Sequence, residues 1–199
     1  MTRLGYRLAT PIIGGIFGAL FVAVAVFAPH PRLIWNASAS EPIGLYRVMA
    51  KGRPVAGDLV AIAPPAHLAG FLAERHYLPV GVPLLKKIAA GSGAHVCRHG
   101  AIVTIDNAPR AIARAHDRRG RPLPIWRGCR VVARGELFLL GRATDSMDGR
   151  YFGPISAAGL AGHAIPILTR DATGQPLRWR CAPFASVHFA HSNGGFRCR

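Results

Sequence analysis

Residues 11–29, PIIGGIFGALFVAVAVFAP, carry no charged side chain, and this run limits what the chain can be more than any other feature. A helix needs about 20 apolar residues to cross a bilayer, so the run is long enough to span one. Arg3 and Arg7 precede it, which favours a cytoplasmic N-terminus and places the rest of the chain beyond the membrane. A cleavable export signal competes with that reading, cut at Ala23-Val24-Ala25 or Ala37-Ser38-Ala39. Such signals have apolar cores of roughly 7 to 15 residues, so an uncleaved anchor is expected instead.

The 199 residues leave room for one further domain of about 150, and the half that are apolar exclude a disordered chain. The expected layout is a cytoplasmic stretch at 1–10, an anchor at 11–29, a folded domain at 30–170 and a weakly patterned tail at 171–199. The net charge is +16, and only Lys51, Lys86 and Lys87 among the 25 basic residues are lysines. Such a surface suits anionic lipid, nucleic acid or acidic partners, and solvated charge explains it equally well. A long translocated domain largely escapes the rule that keeps basic loops inside.

Beyond the anchor the pattern is of short strands between turns. Gly44–Met49, Leu59–Ala63 and Leu84–Ala90 read as strands, and Pro65–Arg75 as one short helix. Ala94–Ile105 and Ala108–Ala115 resemble a hairpin turning at Asp106-Asn107, a pair that tolerates positive φ. Val131–Ala133 and Glu136–Leu140 suggest another through Arg134-Gly135, with a loop at Asp117–Trp126 between the two. With 23 glycines and 16 prolines the domain is expected to be mainly β.

Four cysteines in a translocated domain suggest disulfides. Cys97 with Cys129 is the first candidate pair and Cys181 with Cys198 the second, although four cysteines allow three connectivities. Cys181, His188, His191 and Cys198 would also suit zinc, but their spacing matches no common zinc signature. No metal or organic cofactor is expected.

Three segments carry candidate chemistry. Asn36-Ala37-Ser38-Ala39-Ser40-Glu41-Pro42 places two serines i, i+2 in a backbone that its proline keeps out of helix. A serine there needs a base. Leu84–Ala90 supplies one: strand alternation sends Lys86 and Lys87 to opposite faces, and desolvation lowers a lysine pKa towards neutrality. An exposed edge-strand pair is the plainer alternative. In Asp145–Pro154, Ser146 can orient an amine, and Asp148 with Arg150 can join a polar network or form a surface ion pair.

In this order, Ser-x-Ser-x-Pro-x-Gly-Leu-Tyr, Leu-Lys-Lys-Ile-Ala-Ala and Ser-x-Asp-x-Arg-Tyr-Phe-Gly-Pro resemble the type I signal peptidase superfamily, family S26. The Gly-Leu-Tyr and Arg-Tyr-Phe-Gly-Pro portions are similar to its TraF-type conjugative transfer peptidases. The resemblance implies an N-terminal transmembrane helix and an all-β periplasmic catalytic domain, hence a single-pass protein of a bacterial inner membrane. It implies Ser40 as nucleophile and Lys86 as general base. Ser38 and the Ser40 N–H then line the oxyanion hole, Ser146 orients the lysine, and Asp148 and Arg150 support the dyad.

Two positions depart from the family pattern: Gly91-Ser92-Gly93-Ala94 stands where Leu-Pro-Gly-Asp is usual, and Gly149 replaces a common serine. The implied substrate is a membrane-bound precursor, such as a pilin-like subunit of a conjugation apparatus, trimmed or cyclised. The implied partners are inner-membrane lipids and other conjugation or type IV secretion components, and direct contact with nucleic acid is not expected. Two other readings stay open. One is a general secretory signal peptidase. The other is a non-enzymatic, membrane-tethered component of a DNA-transfer channel, for which the arginines between Arg110 and Arg134 speak.

Overall fold

The computed structural model describes residues 3–27, 33–50 and 52–180. They fall into two units, Met1–Pro31 and Arg32–Arg199. The first holds helix α1, Arg3–Phe27. Its side chains are described over a shorter stretch, and among the described residues no helix is long and apolar enough to cross a membrane. The second unit is mainly β, and its pairings are all antiparallel.

The larger sheet is built from β1 (Leu33–Asn36), β2 (Ile43–Met49), β3 (Leu59–Ile62), β4 (Leu84–Ala90), β9 (Glu136–Leu140), β10 (Ile155–Ser156) and β11 (Leu160–Arg170). Their order is β1-β2-β11-β3-β4-β9-β10, and β12 (Arg178–Trp179) adds to β11. β4 is therefore an interior strand, not an edge. Its Leu84 and Ile88 bury a core with Val60, Ile62, Leu137 and Leu139. Helix α2, Ala66–Glu74, closes that core with Leu68 and Leu72, four residues apart on one face.

Gly44 shows why Gly-Leu-Tyr begins with glycine. Its φ is 145°, and a Cβ there would lie 2.0 Å from the Leu168 carbonyl oxygen of the neighbouring β11. No other residue allows β2 and β11 to approach so closely.

The smaller sheet, ordered β7-β6-β5-β8, comprises β5 (His95–His99), β6 (Ile102–Ile105), β7 (Ala108–Ile112) and β8 (Gly128–Val131). Asp106 and Asn107 take φ of 49° and 66° between β6 and β7, as their turn chemistry predicts. Two expectations need correction. Ala94–Ile105 is not one strand: Gly100, at φ 62°, turns the chain so that β5 pairs with β6. The hairpin through Arg134-Gly135 does not form, because β8 pairs with β5 while β9 pairs with β4 and β10. Gly135 does turn, at φ 80°, but it passes the chain between sheets.

Candidate active site

Ser38 and Ser40 lie in the loop between β1 and β2, which Asn36 organises. The Asn36 amide donates to the carbonyls of Ser38, Glu41 and Pro42 at 2.9, 3.1 and 3.1 Å. Its Oδ1 accepts from the Ser38 N–H at 3.1 Å and the Ser38 hydroxyl at 2.9 Å. The two serine hydroxyls stand 2.9 Å apart. An amide oxygen can only accept, so the Ser38 proton goes to Asn36 and the Ser40 hydroxyl donates to Ser38. The Ser40 carbonyl accepts from the N–H groups of Arg142 and Ala143 at 3.0 and 3.4 Å, which ties this loop to the segment after β9.

Lys86 occupies the face of β4 that Leu84 and Ile88 share, and is 4 % exposed, while Lys87 faces out. Its Nζ donates to Ser146 Oγ at 2.6 Å. Desolvation by the surrounding core lowers its pKa from 10.5 to about 8, against the opposing pull of Asp148 and Glu41. Gly141 makes room for this contact: a Cβ there would lie 2.1 Å from Ser146 Oγ and 3.2 Å from Lys86 Nζ.

Asp148 and Arg150 are buried, not a surface pair. Their 3.0 Å ion pair stands at 0 % and 7 % side-chain exposure. Asp148 caps the single turn α3, Gly149–Phe152, by accepting from the Arg150 N–H at 3.1 Å, and also accepts from the Gly141 N–H at 2.7 Å. Arg150 donates to the carbonyls of Ala143, Ser146 and Gly141. The pair thereby folds residues 141–150 into the loop that presents Ser146. Burial pushes the Asp148 carboxyl up, opposed by Arg150.

Ser38, Ser40, Lys86 and Ser146 line one cleft of about 650 Å³, walled by Leu72, Leu78, Leu123, Met147 and Tyr151. No hydrogen bond joins Ser40 to Lys86; the cleft is what they share. A neutral amine opposite a serine hydroxyl is an arrangement able to take up the serine proton.

Sequence reasoning left three residues of this site unassigned. Asn36 lies in the serine motif, and its use as the loop's organiser shows only in three dimensions. Gly141 gives no signal, because its neighbours are distant in sequence. Glu41, 3 % exposed, accepts from the Arg142 N–H at 3.1 Å, and burial raises its pKa.

Cys97 and Cys129 are joined by a disulfide between β5 and β8 and do not line the cleft. His99 Nε2 is 3.7 Å from Cys129 Sγ, but both sulfurs are spent in that bond and leave no thiolate for a metal. Cys181, His188, His191 and Cys198 lie outside the described residues.

Comparison with known proteins gives this geometry its context. The family model described as "Signal peptidase, peptidase S26" matches residues 6–168. A probable conjugal transfer protein TraF from Sinorhizobium fredii is 38 % identical over 145 residues, covering 67 % of this chain and 76 % of that protein. A conjugal transfer protein TraF from Agrobacterium fabrum is 42 % identical over 147 residues, covering 68 % and 82 %. A signal peptidase I structure from Enterococcus faecalis overlaps 58 % of this chain and 98 % of its own, with a TM-score of 0.34 and 18 % identity. That overlap is too loose to carry an argument. The family match spans most of the chain and both relatives exceed 30 % identity, so the chain belongs to the S26 signal peptidase family.

Proposed function

We propose that this chain is a membrane-anchored serine endopeptidase using Ser40 and Lys86. The observation that carries the proposal is Lys86: a lysine buried on an interior strand, with its pKa lowered to about 8, in one cleft with a serine. Neutral Lys86 takes the Ser40 proton as the hydroxyl attacks the scissile carbonyl. The oxyanion is held by the Ser40 N–H and by the Ser38 hydroxyl, which turns away from Asn36 to do so. Protonated Lys86 gives its proton to the leaving amine, and water or a peptide amine then resolves the acyl-enzyme. Ser146 holds the Lys86 amine, and Asp148 and Arg150 hold Ser146. The steps require no metal or organic cofactor.

Helix α1 would be the anchor. Its 25 residues would extend about 37 Å, and Ile16, Phe17, Phe21 and Val22 on it are more than half exposed, as lipid contact requires. The peptidase domain, residues 30–170, would then lie in the periplasm beside the inner membrane, followed by the tail 171–199. The names of the TraF relatives favour a conjugation context, and within it a membrane-bound precursor such as a pilin-like subunit would be the substrate and other transfer components the partners.

The test is a mass-spectrometric survey of protein N-termini in membranes holding this chain or its Ser40→Ala form. A precursor trimmed only with Ser40 present is expected. A product that also lacks a free N-terminus and one water would be cyclised. Identical N-termini in both membranes would defeat the peptidase reading in favour of a binding component.

A further inference from the structure

Five arginines and two aspartates line the cleft, a surplus of three positive charges before Lys86 is counted. Neither aspartate is available to a ligand. Asp117 accepts from the Tyr77 hydroxyl at 2.6 Å, from Arg121 Nε at 2.8 Å, and from the N–H groups of Arg119 and Arg121 at 2.8 and 2.9 Å. Asp145 is paired with Arg118. Arg75 and Arg121 are framework as well: Arg75 donates to the Pro122 carbonyl at 2.7 Å and Arg121 to the Arg75 carbonyl at 3.0 Å. Arg114 and Arg119 remain, both exposed and neither with a carboxylate partner among the described residues.

This wall stands beside the reacting groups. Arg114 Nη2 reaches Thr144 Oγ1 at 3.4 Å, and Arg118 reaches Asp145, the residue before Ser146. The same segment donates from Arg142 and Ala143 to the Ser40 carbonyl. A peptide extended through the cleft advances roughly 3.3 Å per residue, so side chains a few positions from the cut can reach the guanidiniums that line the same cleft.

On the peptidase reading above, we propose that this arginine wall is a specificity subsite, which selects precursors carrying an acidic residue a few positions from the scissile bond. An unpaired guanidinium offers a carboxylate several donors in fixed fork geometry, and it repels a lysine at the same position. Both effects act through Arg114 and Arg119, and salt screens them.

The test uses the full-length Ser40→Ala protein in neutral detergent and fluorescein-labelled dodecapeptides. The peptides carry alanine at the first and third positions before the central bond, with Glu, Gln or Lys placed at the second or fourth position before it or two to four positions after it. Binding is read by fluorescence anisotropy. At the best position Glu should bind about five-fold more tightly than Gln, Lys should bind worst, and 0.5 M salt should remove the difference. Adding Arg114→Glu and Arg119→Glu should reverse the order of Glu and Lys.

Equal binding of all three at every position, or no binding of any, overturns the proposal. Phosphatidylglycerol vesicles, titrated into the same proteins, test the other anionic surface. If the two arginines govern vesicle binding while the peptides show no charge preference, the wall is a lipid contact and the proposal fails. Cleavage of the Gln peptides by the Ser40 protein reports on the peptidase assignment separately, so the two failures are distinguishable.

Discussion

The serine side and the lysine side of the cleft are built by opposite means. Ser40 sits in a loop whose shape comes from polar contacts, five of them made by the side chain of Asn36. Lys86 sits on an interior strand among Leu84, Ile88 and the side chains that pack on them, and burial sets its behaviour. The nucleophile role proposed for Ser40 requires it to move its proton and admit a substrate, and a loop at the cleft's edge suits that role. A base that is to be neutral near physiological pH must be kept from water, and a core strand does that. The lysine side therefore carries a stability cost that the serine side does not.

The sharpest way to break this comparison is to remove the proposed reacting group from each side. Ser40→Ala and Lys86→Arg should each lower kcat/KM by about 10⁴-fold, with the circular dichroism spectrum unchanged. The arginine keeps the charge and cannot act as the base. An active Lys86→Arg enzyme would remove Lys86 from the chemistry.

Gly141→Ala comes next, since its Cβ would take the place of Ser146 Oγ. A loss of about 10²-fold in kcat is expected, with less effect on KM. Asn36→Ala loosens the serine side: it frees the carbonyls of Ser38, Glu41 and Pro42 and should cost about 1–3 kcal/mol in chemical denaturation. Activity should fall about ten-fold as the loop that carries Ser38 and Ser40 loses its shape.

A further effect, on stability, has the opposite sign. The folded-state pKa of Lys86 lies below its unfolded value of 10.5, so below about pH 8 the full cost of burying the charge is present. Between these values the unfolded chain binds more protons and stability rises with pH. Lys86→Met should therefore stabilise the protein at pH 6 by about 2 kcal/mol, with the advantage shrinking from pH 8 to 10.5. Exposed Lys87→Met should change little.

Much of this site is legible along the sequence because its parts are local. Alternation separates Lys86 from Lys87, and the Asp106-Asn107 pair declares its turn. What is lost depends on partners far away in the chain. β11 runs through the middle of the larger sheet, yet Gly162, His163 and Pro166 break its apolar rhythm. The proline is tolerated because the register with β2 shifts between Pro166 and Leu168. Asp148 and Arg150 leave a buried network and a surface ion pair both open along the sequence, since nothing local reveals that Arg98, 52 residues away, donates to the Arg150 carbonyl from a buried position. Asn36 and Gly141 are ordinary residues until the fold sets them against Ser38 and Ser146.

The most direct test of the neutral lysine is the pH dependence of kcat/KM for a peptide cleaved by the full-length protein in neutral detergent, because that profile reports ionisations of the free enzyme. A neutral Lys86 predicts a rate that climbs with pH through an apparent pKa near 8 and levels off above it. A rate that is flat from pH 6 to 10, or still climbing at pH 10 as with an unperturbed lysine, would contradict it.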